Sequence, residues 1–317
     1  MFMPTNYLHD HPAFNDLISI TADEKVIDPY LIEKDYWIMH VLFGLKQQAF
    51  EFDLKGGTSL SKGHRIIHRF SEDIDIYIKP DESLMVNETS EKKNAIKSRL
   101  EFYDHLASSI HIDGIIKVER DHEFDDTVKY RSGGIRLFYN SVIGKSDGIK
   151  EGILLEAGFD TITPNSPKTI SSWAYDKASE TNSIEFIDNR AVDIKCYHSG
   201  YTFVEKLQTV VTKYRQEIET GVQRQNLMRQ YYDLAKLLGQ QEVKEFIGTS
   251  EYEEHKLERF PKKDLEIPLQ KSDALLLPDE KMEEFEKRYI ATKALYYAGQ
   301  PPFKELIDII QKSIGRF

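Results

Sequence analysis

The sequence predicts an α+β protein, a mixed-sheet core with helices on both sides of it. Three observations carry this. Alternating apolar and polar residues, the mark of strands, concentrate between residues 50 and 195. Helical periodicity occupies the first 47 residues and everything beyond about residue 200. At 317 residues the chain has room for more than one compact body. The expected organisation is N-terminal helices packed on the core over 1–48, an α/β core over 49–198 and a helical domain over 199–317.

The elements follow in order. A first helix is expected over about 11–22. Asp28-Pro29 then marks a helix start, Asp as N-cap and Pro at the first helical position. The helix over 29–47 carries apolar residues around much of its surface yet contains the charged knot Ile32-Glu33-Lys34-Asp35-Tyr36-Trp37. Phe50, Phe52 and Leu54 read as a strand ending at Gly56-Gly57, and 58–68 as a short helix. Over 72–78, Ile74, Ile76 and Ile78 face one way and Asp73, Asp75 and Tyr77 the other. A polar helix over 88–109 precedes strands at 114–119, 133–140 and 151–159, punctuated by Gly133-Gly134 and by a hinge at Asp147-Gly148. A further strand is expected near 183–194. Thr202 is expected to cap a helix reaching about 219, followed by helices at 222–239, 279–298 and 302–314. Pro261, Pro268 and Pro278 make 248–280 partly irregular.

Composition narrows the class. With 40% hydrophobic and 30% charged residues, the chain is neither disordered nor collagen-like. No apolar run approaches a membrane span, and the N-terminus lacks an export signal, so no membrane partner is expected. The single cysteine, Cys196, precludes an internal disulfide and suits a reducing cytoplasm. A net charge of −11 argues against a generic nucleic-acid coat.

The chemistry centres on residues 55–78. Asp73 and Asp75, two apart on a strand, project from the same face. Alone, an Asp-x-Asp pair is most often two solvent-facing acids on an amphipathic strand. Here Gly56-Gly57-Thr58-Ser59 precedes it, where glycines let the backbone approach a phosphate and a following helix offers free N–H groups. Thr58 and Ser59 add hydroxyls, and Lys62 lies one turn on. Paired carboxylates able to hold Mg²⁺, downstream of a phosphate cradle, suit nucleotide transfer from an NTP. Glu156, alone on the polar face of its strand, is the candidate third ligand and base, with Asp160 a weaker alternative. His64 and His68 have a zinc-compatible spacing on the expected helix but no third partner in context. Lys62, Arg65 and Arg69, and separately Lys129, Arg131 and Arg136 with Tyr130 and Tyr139, form basic clusters that suit an RNA strand or simply a solvated face.

Read together, Ile32-Glu-Lys-Asp-Tyr-Trp37, Lys55-Gly-Gly-Thr-Ser-Leu-Ser-Lys62 with Arg69-Phe-Ser-Glu-Asp-Ile-Asp75, Thr202-Phe-Val-Glu-Lys-Leu207 and Arg229-Gln-Tyr-Tyr-Asp-Leu234 give the chain a family likeness. It resembles the AbiEii/MenT-type nucleotidyltransferase toxins of the DNA polymerase β-like superfamily, over about 30–240. The resemblance implies a nucleotidyltransferase core and a toxin or phage-defence effector with a cognate antitoxin. It implies Mg²⁺-dependent transfer from an NTP to an acceptor hydroxyl, in characterised relatives the 3′ end of tRNA. It assigns phosphate contact to Gly57 and Thr58, metal to Asp73 and Asp75, substrate phosphate to Lys206 and a further catalytic carboxylate to Asp233. The active cleft is expected between core and helical tail. A protein or small-molecule acceptor, or a non-catalytic NTP- or partner-binding module, are the alternatives.

Overall fold

The computed structural model describes residues 6–144, 151–159, 163–181, 185–224 and 226–317. The expected hinge at Asp147-Gly148 and the candidate Asp160 lie outside the described residues. The chain divides into two compact units. One runs to His64 and resumes from Phe70 to Tyr197; the other comprises Arg65–Arg69 and His198–Phe317.

The first unit opens with α1 (Phe14–Lys25) and α2 (Pro29–Gln47). Asp28 caps α2 as expected, its Oδ1 accepting from the Tyr30 N–H at 2.8 Å. Seven strands among the described residues form one sheet: β1 (Phe52–Lys55), β2 (Asp73–Ile78), β3 (Ile115–Arg120), β4 (Ser132–Tyr139), β5 (Ile153–Gly158), β6 (Asn165–Ile170) and β7 (Ala191–Tyr197). Their order is β3-β4-β5-β2-β1-β7-β6. β2 lies between β5, to which it is parallel, and β1, to which it is antiparallel. Ile74, Ile76 and Ile78 are buried in the core, so their apolar face fixes which way the intervening aspartates point. Helices α3 (Lys93–Ser109) and α4 (Trp173–Thr181) complete the unit.

Several boundaries differ from the sequence reading. The helix expected over 58–68 is only a helical turn from Gly56 to Gly63. Beyond it the chain leaves helical geometry, with Arg65 at φ 56°. Gly133 and Gly134 do not interrupt a strand but sit inside β4. A Cβ at Gly133 would stand 2.6 Å from the Tyr103 ring, so close packing of α3, not a turn, requires glycine there. β6 and α4 were not anticipated. β6 is a short edge strand of alternating exposure containing Pro167, which only an edge position accommodates.

The second unit is helical: α5 (Ser199–Thr220), α6 (Leu227–Leu238), α7 (Gln241–Phe246), α8 (Ser250–Arg259), α9 (Asp279–Ile290) and α10 (Phe303–Ser313). α5 starts three residues before Thr202, capped by His198, whose Nδ1 accepts from Gly200 N–H. It ends at Gly221 in a left-handed conformation, φ 65°. On α6, Leu227, Tyr231, Leu234 and Leu238 are buried at helical spacing, and the Tyr231 hydroxyl donates to the Ala274 carbonyl at 2.7 Å. Of the proline-bearing stretch 248–280, expected to be partly irregular, Ser250–Arg259 is the helix α8 and 260–278 holds only short turns.

Candidate active site

Strand register builds the site. Lys55 of β1 stands opposite Asp75 of β2, Asp75 opposite Glu156 of β5, and Glu156 opposite Gly134 of β4. Residues directly opposite share a face, so Lys55, Asp75 and Glu156 form a transverse row on one side of the sheet. Asp73, two residues before Asp75, lies on the same side. Burial pushes the Glu156 carboxyl up to about 8, with repulsion from Asp75 and Asp73 adding to the effect and Lys55 opposing it. The sequence reading found the three carboxylates but not Lys55 as their cation; its clue was that Lys55 ends the strand facing them.

The glycine turn is tied to this row. Gly56 has φ +68°, and a Cβ there would overlap the Asp75 carboxylate. Both facts demand glycine. Gly57, Thr58 and Ser59 are buried. The Thr58 hydroxyl donates to the Asp73 carbonyl at 2.5 Å, joining the turn to the start of β2. Ser59 packs inward against the Cys196 thiol, which burial pushes up to about 11; Cys196 is thus a structural thiol, not a nucleophile. A Cβ at Gly63 would meet its sulfur at 2.5 Å. Lys62 turns to Asp35 of α2, and its ammonium lies 4.6 Å above the Trp173 ring.

In the helical unit, Asp233 and Lys206 do come together. Asp233 is completely buried and takes both arms of Arg69, Nε to Oδ1 at 2.7 Å and Nη2 to Oδ2 at 2.6 Å. Lys206 Nζ lies 3.1 Å from Asp233 Oδ2 and donates to Gln230 Oε1 at 2.9 Å. Burial opposes ionisation of Asp233, but Arg69 and Lys206 more than offset it and hold the carboxyl below its usual range. Arg229, four residues before Asp233, instead reaches Asn226. Lys213 is destabilised as a cation, first by burial and then by Lys206, Arg229 and Arg224.

The basic clusters singled out in the core are engaged by acids or carbonyls. Lys129 pairs with Glu91, Arg136 with Asp121, and Arg131 donates to the Thr89 carbonyl. Tyr139 is buried and stacked on Trp37. The zinc spacing dissolves with the helix that carried it: His64 Nε2 lies 2.8 Å from the Tyr197 carbonyl, and the His68 ring stands edge-on to Tyr297.

The donor chemistry fits a hard divalent cation. Asp73, Asp75 and Glu156 offer only oxygens, and their mutual repulsion is what such an ion relieves. Among the described residues no three His, Cys, Asp or Glu groups form a ready ligand set.

A mixed sheet with carboxylates on adjacent strands beside a glycine turn defines a nucleotidyltransferase-like fold. The profile of the family described as nucleotidyl transferase AbiEii toxin, type IV toxin–antitoxin system, matches residues 40–309. The chain belongs to this family. The match begins after Ile32–Trp37. Among solved structures, the chain is similar to an antigenic nucleotidyltransferase-like protein from Paracoccidioides brasiliensis, at 10% identity over 74% of this chain and 98% of that one. The TM-score is 0.35, too low to bear on function. No curated protein matches the chain. Among the described residues no helix is long and apolar enough to cross a membrane.

Proposed function

We propose that this nucleotidyltransferase-family toxin moves a nucleotide from an NTP to the hydroxyl at the 3′ end of a tRNA, releasing pyrophosphate, in the cytoplasm and under the control of a cognate antitoxin. The observation that carries the reading is the row Lys55–Asp75–Glu156, with Asp73 beside it and Gly56 against the Asp75 carboxylate.

Asp73 and Asp75, with Glu156, would hold Mg²⁺, which when bound supplies charge neutralisation on the triphosphate. The protein's own groups do the rest. Backbone N–H groups of Gly56, Gly57 and Thr58 cradle phosphate oxygens, while the Ser59 N–H closes the turn onto the Gly56 carbonyl and the Thr58 and Ser59 side chains hold it. Glu156, on the same face as the aspartate pair, takes the proton of the attacking hydroxyl, a bound cation there favouring its charged form. The oxygen so freed bonds to the α-phosphorus, and the bond to the β-phosphate oxygen breaks. Lys206, oriented by Asp233 and Gln230, meets substrate phosphate as a point charge. Asp233 has both oxygens committed to cations, which suits an orienting group better than a proton carrier. The gathering of Lys206, Lys213, Arg224 and Arg229 supports a polyanionic acceptor in spite of the acidic chain.

Incubation with labelled NTPs, Mg²⁺ and total RNA tests the reading. Label in tRNA supports it. Label in protein or in a small molecule moves the acceptor class, and tight NTP binding without transfer identifies a binding module.

A further inference from the structure

α2 is buried almost all round, yet three consecutive residues in its second turn are charged. Glu33, Lys34 and Asp35 are 0%, 1% and 0% exposed. Burying an ion pair returns little stability, because desolvation offsets the attraction, and apolar residues of similar size usually serve as well. Three such charges in one helical turn therefore need a reason beyond holding the helix in place.

Their partners supply one. Successive residues on a helix point about 100° apart, so the three reach different elements. Glu33 accepts from the Val142 N–H at 2.8 Å and the Ser141 hydroxyl at 2.5 Å, fixing the segment after β4. Asp35 accepts from the Trp173 N–H at 2.8 Å with one oxygen and takes Lys62 with the other. Lys62 lies on the turn that begins at Gly56. Lys34 Nζ lies 3.8 Å from Glu72 Oε2, and Glu72 immediately precedes Asp73. One turn of α2 thus grips the glycine turn at one point and the head of the aspartate strand at another.

We propose that Lys34 and Asp35 are positioning residues for nucleotidyl transfer. Asp35, through Lys62, sets the glycine turn, and Lys34, through Glu72, sets the start of β2, so that turn and carboxylates keep the spacing the reaction needs. This rests on the transferase reading above. A displacement of about 1 Å in such a site can cost on the order of 10²-fold in rate.

The test compares wild type with Lys34→Met and with the double variant Asp35→Asn/Lys62→Met, which leaves no buried charge unpaired. Melting curves check folding, transfer kinetics give kcat and the KM for NTP, and water-proton relaxation measures binding of Mn²⁺ alone. The double variant is expected to fold and to lose kcat by about 10²-fold, with KM little changed. Lys34→Met is expected to bind Mn²⁺ more weakly. Simple loss of a nearby positive charge would do the opposite, so equal or tighter Mn²⁺ binding overturns the role of Lys34. An unchanged kcat in the folded double variant overturns that of Asp35. Should the double variant not fold, Asp35→Glu keeps the charges and shifts the turn by one methylene; wild-type kcat there is equally fatal. A wild-type protein that neither transfers nucleotides nor binds Mn²⁺ would overturn both the transferase reading and this one.

Discussion

Arg69 and Asp233, 164 positions apart, form a fully buried two-armed ion pair, and Lys206 adds a second cation to the same carboxylate. Removing Asp233 leaves two cations without their counterion, and removing Arg69 leaves the buried carboxylate to Lys206 alone. Arg69→Met or Asp233→Asn is therefore expected to cost about 3–5 kcal/mol in denaturant unfolding. Arg69→Met/Asp233→Leu together should cost less than either alone. Because the native Asp233 carboxyl lies below its unfolded value of 3.8, its stabilising share is complete above that pH and is lost as pH falls through the native value. Asp233→Asn should therefore flatten the acid limb of the stability–pH profile.

Glu156 titrates the other way. Its native value, about 8, lies above the model-compound value of 4.5. Its favourable share is thus present below pH 4.5 and is lost as pH rises towards 8. Without divalent cations, Glu156→Gln should be more stable than wild type at alkaline pH, by an amount growing at most ~1.4 kcal/mol per pH unit across that window. Adding Mg²⁺ should narrow the difference by stabilising wild type, and transfer should fall in the variant. Parallel melting curves with and without Mg²⁺ check all three.

Gly56→Ala meets two obstacles, a left-handed backbone and the Asp75 carboxylate. Expected losses are about 1–3 kcal/mol of stability and on the order of 10²-fold in kcat from misplacement of the carboxylate. Gly221→Ala, also left-handed but in open space, should lose stability alone.

Lys213 shares its surroundings with Lys206, Arg224 and Arg229. If this group meets acceptor phosphates, Lys213→Ala should lower RNA affinity and reduce the slope of log K against log salt by about one. Filter binding across a salt series measures it.

Much of the candidate site's geometry was legible because strands have a period of two. Ile74 and Ile76 committed their face to the core, and Asp73, Asp75 and Glu156 followed to the other side. The Asp28-Pro29 start of α2 was legible because a cap is a local interaction. What escaped depends on partners distant in sequence. Lys62 reads as a phosphate ligand until Asp35 is seen to take it. Asp233 reads as an (i, i+4) partner of Arg229 until Arg69 arrives from elsewhere. β6 escaped because an exposed edge strand such as Asn165–Ile170 buries too little to show a pattern.

The most direct test of the central claim is label transfer from an NTP to RNA by wild type and by Asp75→Asn, with matched melting curves. Mg²⁺-dependent labelling of tRNA by wild type, lost in a folded Asp75→Asn protein, is the predicted result. Transfer that persists undiminished in that variant would mean that the row Lys55–Asp75–Glu156 is not where the chemistry happens.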